Sequence, residues 1–175
     1  VIVVDLEASV AFPGKAVARQ HARNWLMIHR QQIVEQNPMA RWVRINALDT
    51  LHWREDLAAV MPAAPDGIML PKAAGPAAVQ QVAAELYELE QRNGVAPGST
   101  RILPLVSETA ASALTIPAYA NASLPRLGGL TWGAEDLSSA IGASRKRGAD
   151  GEWTDLFRMV RAQTLLAAHA CNVPA

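Results

Sequence analysis

"RILPLVSETA", residues 101–110, runs apolar from Ile102 to Val106 and then ends on Glu108. A short apolar run closed by turn chemistry reads as a buried strand, so Glu108 marks the point where the chain leaves a sheet. Four more runs have the same shape: "VIVVDLE" (1–7), "WVRIN" (42–46), "GIMLPK" (67–72) and "LGGLTWG" (127–133). Each also ends on polar residues.

Helix-like segments fill the gaps. From Lys15 to Glu35, Ala18, Ala22, Trp25 and Leu26 share one face, and Asn37 with Pro38 supplies a stop. Thr50 is placed to cap a helix through about Val60, which Pro62 and Pro65 close. A third helix is expected near 76–92, ended by Asn93 and Gly94, and a fourth at about 152–170, with Trp153, Phe157, Val160, Thr164 and Cys171 along one stripe. Strands alternating with helices imply a parallel sheet, either doubly wound or a (β/α)8 barrel. Neither GxGxxG after the first strand nor GxxxxGK[ST] occurs, so the expectation is the α/β TIM (β/α)8 barrel. Since such a barrel takes eight strands and about 250 residues, residues 1–175 are read as a single partial barrel domain, about five β/α units of a longer chain. The start inside a strand, without Met, fits a sequence that begins after its natural N-terminus.

Composition narrows the partners. With 16 Lys and Arg against 16 Asp and Glu, no basic footprint for nucleic acid is present. No stretch approaches the roughly 20 apolar residues of a membrane helix, and the opening run meets Asp5 and Glu7 too soon for a signal sequence. One cysteine, Cys171, leaves no disulfide framework and no Cys/His metal spacing, which suits a reducing, cytoplasmic setting.

Barrel chemistry gathers at the C-terminal ends of the strands. There the runs deliver Asp5 and Glu7, then Arg44 and Asn46, then Lys72, then Glu108, and last Gly133 followed by Asp136. Asp49 and Ser107 suit a capping role. Arg44 and Lys72 do not, because a cation opposes the positive end of a helix dipole. Glu108 and Asp136, from neighbouring strands, would repel unless a proton or a cation lies between them. An all-oxygen pair with open positions suits Mg2+, and the rigid guanidinium fork of Arg44 suits a substrate carboxylate or a phosphate.

In order along the chain, "VIVVDLEASVAFPGKAVAR", "VRINALDT", "GIMLPKA", "LPLVSETA" and "LTWGAEDLSSAIG" resemble the successive motifs of the citrate lyase beta-subunit-like family in the HpcH/HpaI aldolase group. The resemblance covers essentially the whole chain. It implies a TIM barrel that cleaves or joins carbon–carbon bonds with Mg2+, commonly on acyl-CoA thioesters of 3-hydroxy acids such as citryl-, malyl- or citramalyl-CoA. It also implies metal ligands at Glu108 and Asp136, a carboxylate-binding arginine at Arg44, and backbone N–H groups of Gly133 and Ala134 turned to the substrate acid. Asp5, Glu7 and Lys72 complete the expected catalytic set. Where the family has a second acid, in DLED, this chain has Ala8 followed by Ser9. Glu7 then either orders metal-bound water and Lys72 or forms a structural ion pair. The family pattern places one strand before Val1 and two after Ala175, a catalytic acid or base on a neighbouring subunit's C-terminal segment, and a homo-oligomer, trimer or hexamer. Close alternatives are an aldolase of free 2-keto-4-hydroxy acids and a non-catalytic barrel relative.

Three minor features read as structural. "SRKRGADG" (144–151) is taken as a solvated charged loop, the four histidines as structural or exposed, and Cys171 as a packing residue. Trp132 either walls the pocket or pads the barrel top.

Overall fold

The computed structural model describes residues 1–30 and 39–175. Four strands, β1 (Ile2–Asp5), β2 (Arg41–Arg44), β3 (Gly67–Leu70) and β4 (Arg101–Pro104), form one all-parallel sheet in the order β1-β2-β3-β4. The connecting helices are α1 (Lys15–Arg30), α2 (His52–Val60) and α3 (Pro76–Arg92), followed by α4 (Ala110–Thr115), α5 (Ala134–Ala140) and α6 (Asp155–Ala170). Strictly sequential order has no switch point, which rules out the doubly wound alternative. The sheet is an arc of a (β/α)8 barrel.

Strand pleating sorts the side chains. Val43, Ile68, Leu70 and Ile102 pack outward in one buried cluster with Ala22 and Leu26 of α1, Leu57 and Val60 of α2, and Val82 and Leu86 of α3. The opposite face carries Val3, Trp42 and Leu103, which line a cavity of about 270 Å3 on the barrel interior. Trp42 fits there because its neighbours lack side chains. A Cβ on Gly67 would lie 2.3 Å from the indole, and one on Gly128 would lie 3.0 Å from it. Gly67→Ala is therefore expected to lower stability by about 1–3 kcal/mol, read as a lower urea midpoint at unchanged slope.

The fifth run pairs with β4 only through two isolated parallel bridges, Ile102↔Leu127 and Leu105↔Thr131. Between them the fifth run has one residue more than β4. Pro104, lacking an N–H, cannot continue the ladder, and Leu130 N–H turns away to Pro174 O at 3.0 Å.

Helix boundaries mostly follow the expectations. The predicted continuation of α1 to Glu35 and its stop at Asn37 and Pro38 lie outside the described residues. Leu51, not Thr50, is the N-cap of α2; the Thr50 hydroxyl donates to Ala47 O at 2.8 Å and accepts from His52 N–H at 3.3 Å. The fourth predicted helix starts at Asp155 rather than near 152, because Trp153 is held in an antiparallel bridge with Arg147, meets Trp132 edge-on and lies under the Arg147 guanidinium. Trp132 both packs on Trp153 and lines a cavity of about 630 Å3, and 144–151 is one arm of the turn. Cys171 packs on the same cluster and its Sγ reaches Tyr119 O at 3.4 Å, with burial pushing the thiol up.

Candidate functional site

Asp5 and Arg44 are the last residues of adjacent strands and stand opposite one another in register, so their side chains share the interior face. Arg44 Nε donates to Asp5 Oδ1 at 2.8 Å and Nη2 to Oδ2 at 2.7 Å. The amides of Glu7 and Ser9, each at 2.9 Å, and the Ser9 hydroxyl at 2.6 Å fill the rest of that carboxylate. Burial alone would raise the Asp5 pKa, but these donors outweigh it and hold the group far below the usual carboxylate range. In this structure the acceptor positions of Asp5 are taken by these donors, and it orients Arg44. The guanidinium is correspondingly not a free fork, because only its Nη1 side faces away from Asp5, with Glu7 Oε2 at 3.6 Å.

Glu7 bridges two cations. Its other oxygen meets Lys72 Nζ at 3.2 Å, an attraction that raises the Lys72 pKa against the opposing effect of partial burial. Lys72 itself is strained, with φ of 49° in the left-handed region. That conformation aims its backbone N–H at Glu108 Oε2, 2.5 Å away.

Glu108 has 2% exposure, and Asp136, in the first turn of α5, is near enough for its carboxyl to act on it. Burial first, then the neighbouring Asp136, pushes the Glu108 pKa up to about 7 despite the Lys72 amide. The expected pair is therefore brought together. Among the described residues no group of three or more His, Cys, Asp or Glu forms a metal cluster. Two carboxylates with excess local negative charge match the donor set of Mg2+, which fills its remaining positions with water and substrate oxygens.

The turn after the fifth run departs from expectation. Gly133 N–H donates to Ser107 Oγ at 3.0 Å, so this amide is not available to a substrate acid. Ser107 caps no helix, since Thr109 and Ser112 form the capping box of α4. Ala134 N–H heads α5, where no intrahelical acceptor exists. Lys15 and Asn46, buried beneath Leu6, also belong to the site's support. Lys15 falls within the first motif of the family resemblance, and a lysine at a helix start is a second signal for it.

Residues 1–175 match the family model for HpcH/HpaI aldolase/citrate lyase. The chain belongs to the HpcH/HpaI aldolase/citrate lyase family. Within this family it is 36% identical over 170 residues to a citrate lyase subunit beta-like protein of Mycobacterium tuberculosis (strain CDC 1551 / Oshkosh), covering 97% of this chain and 52% of that one. It is 31% identical over 174 residues to citrate lyase subunit beta of Escherichia coli (strain K12), covering 99% and 54%. The solved structure of the protein CitE from Mycobacterium tuberculosis in complex with magnesium, acetoacetate and coenzyme A superposes with a TM-score of 0.70 at 35% identity, over 99% of this chain and 55% of that one. The chain thus spans about half the length of these relatives. No helix among the described residues is long and apolar enough to cross a membrane.

Proposed function

We propose that the protein containing this chain is a Mg2+-dependent carbon–carbon lyase that cleaves a 3-hydroxyacyl-CoA of the citryl-, malyl- or citramalyl-CoA type into acetyl-CoA and a ketoacid. The pair formed by buried Glu108 and exposed Asp136, set beside Arg44 on the C-terminal rim of the sheet, carries this reading. Family membership supports it, as does the CitE structure holding magnesium, a ketoacid and coenzyme A.

In the reaction the hydroxyl proton leaves, the adjacent carbon–carbon bond breaks, the former carbinol carbon becomes the keto carbon, and a proton is returned to the acetyl thioester enolate. A bound Mg2+ would supply Lewis-acid stabilisation of the oxygen that loses its proton, with Glu108 and Asp136 as its protein ligands. Arg44 turns its Nη1 edge to the acid end of the substrate, and Asp5 fixes the plane of that guanidinium before substrate arrives. Glu7 offsets Lys72 and adds a second, longer contact to Arg44, whose main partner is Asp5.

Purified full-length protein should release acetyl-CoA from at least one of citryl-, malyl- or citramalyl-CoA, lose that activity in EDTA and regain it with Mg2+. Cleavage indifferent to EDTA overturns the metal assignment. Cleavage of free 2-keto-4-hydroxy acids with all three thioesters untouched overturns the substrate class.

A further inference from the structure

Lys15 is the first residue of α1, where a cation faces the positive end of the helix dipole, yet it is only 9% exposed. Among the described residues its Nζ meets no carboxylate. It donates instead to two consecutive carbonyls, Leu6 O at 2.6 Å and Glu7 O at 2.8 Å. Asn46 Nδ2 donates to the same Leu6 O at 3.1 Å, and Asn46 is clamped in turn by Asp56 Oδ2, at 2.8 Å from its N and 2.6 Å from its Nδ2. Arg19 Nε closes the far side of Asp56 at 2.7 Å.

These contacts fall where the sheet ends. The last ladder bond of β1 runs from Leu6 N–H to Arg44 O at 2.9 Å, and beyond it the backbone must be held by other means. The next residue, Glu7, is the one that bridges Arg44 and Lys72. We propose that Lys15 is a positioning residue of the site: by gripping the Leu6 and Glu7 carbonyls it fixes the turn from which Asp5 holds Arg44 and Glu7 spans the two cations. Asn46 shares the grip on Leu6, and Arg19 acts one step further out. The catalytic consequence rests on the lyase reading given above; the structural consequence does not.

The experiment uses full-length protein and two readouts. The first is the Arg44 Nε–H resonance, assigned by its loss in Arg44→Lys and slowly exchanging while bonded to Asp5. The second is kcat/KM for thioester cleavage, beside a Mg2+ titration. Lys15→Met is expected to bring Arg44 Nε–H into fast exchange and to lower kcat/KM by about 10- to 100-fold, in line with the loss of other supporting contacts, while the Mg2+ midpoint stays within about twofold. Lys15→Arg, which keeps donors for both carbonyls, should recover most of both signals. Leu86→Ala, a core deletion in α3, controls for general destabilisation and should leave both intact. If Lys15→Met retains the slow Nε–H and the kcat/KM of Leu86→Ala, Lys15 has no positioning role. Should Lys15→Met fail to fold, Lys15→Gln carries the same comparison. If the parent protein cleaves no thioester, the lyase reading fails, and the resonance still decides the role of Lys15.

Discussion

Glu108→Gln is expected to raise the melting temperature of the metal-free protein at pH 8 and to abolish any rise caused by Mg2+. The reason lies in the direction of the Glu108 shift. Its pKa goes from the ordinary 4.5 to about 7, chiefly by burial and then by Asp136. Between those values the unfolded chain is ionised there while the folded chain holds the proton, so folding takes up a proton and stability falls as pH rises from about 4.5 to 7. At about 1.4 kcal/mol per pKa unit, the folded state above pH 7 carries a cost of roughly 3 kcal/mol at this group. Glutamine removes that cost, a gain of several degrees at about 2–4 °C per kcal/mol. At pH 4 the gain should be nearly gone, because the carboxyl is then largely protonated in the unfolded chain as well. Mg2+ relieves the same cost in the parent protein by binding the ionised pair, so its stabilisation should grow with pH and be absent in the variant. Lyase activity should fall by at least about 10²-fold in Glu108→Gln. A variant less stable than the parent at pH 8, or one that still responds to Mg2+, removes Glu108 from the metal site.

The same carboxylate shows why part of the site was legible from sequence. A charged residue at the end of an apolar run can be placed on the rim by strand geometry alone, and Glu108, Lys72, Arg44 and Glu7 are found there together. Strand ends do not reveal how such groups divide the hydrogen bonds among them. Asp5 and Arg44 were both expected to act on substrate, but their register on neighbouring strands pairs them with each other first. Ser107 looked like a cap because a serine after a strand so often is one; the Gly133 amide that claims it lies 26 residues away. Ser9, next to the Ala8 that stands where the family has its second acid, supplies an N–H and an O–H to Asp5 instead of a charge. The barrel arc was legible from five apolar runs with helices between. The irregular pairing of the fifth was not, because it depends on Pro104 having no N–H to offer and on Leu130 N–H turning to Pro174 O.

At the opposite end of the sheet, Arg126→Met is expected to destabilise the fold by about 3–5 kcal/mol at neutral pH, the cost of leaving a buried charge without its partner. Glu90, on the last turn of α3, has 0% exposure, and Arg126, just before the fifth run, has 8%. Their contact is two-pronged, with Nη1 on Oε1 and Nη2 on Oε2, both at 2.7 Å. The amides of Gly98 at 2.7 Å and Thr100 at 3.1 Å complete the carboxylate, and Arg126 Nη1 also reaches Thr100 O at 3.2 Å. Burial would raise the Glu90 pKa, but the Arg126 fork and the two amides outweigh it and hold it below 4.5. For such a group the stabilisation is fully present above the unfolded pKa and is lost as pH falls through the lower folded value. The parent should therefore keep this contribution at pH 5 and lose it only in stronger acid. Without Arg126, burial prevails and Glu90 must fold protonated, so the penalty of Arg126→Met should be greatest near pH 7.5 and should shrink toward pH 4, where the unfolded chain is protonated as well. Adding Glu90→Leu should restore much of the loss, since an apolar replacement leaves no charge to desolvate. Urea unfolding of parent, single and double variants at the two pH values tests each step. A single-variant loss below about 1 kcal/mol, equal at both pH values, would mean that water or a shifted loop already serves Glu90 and that the pair does not anchor the fifth run to α3.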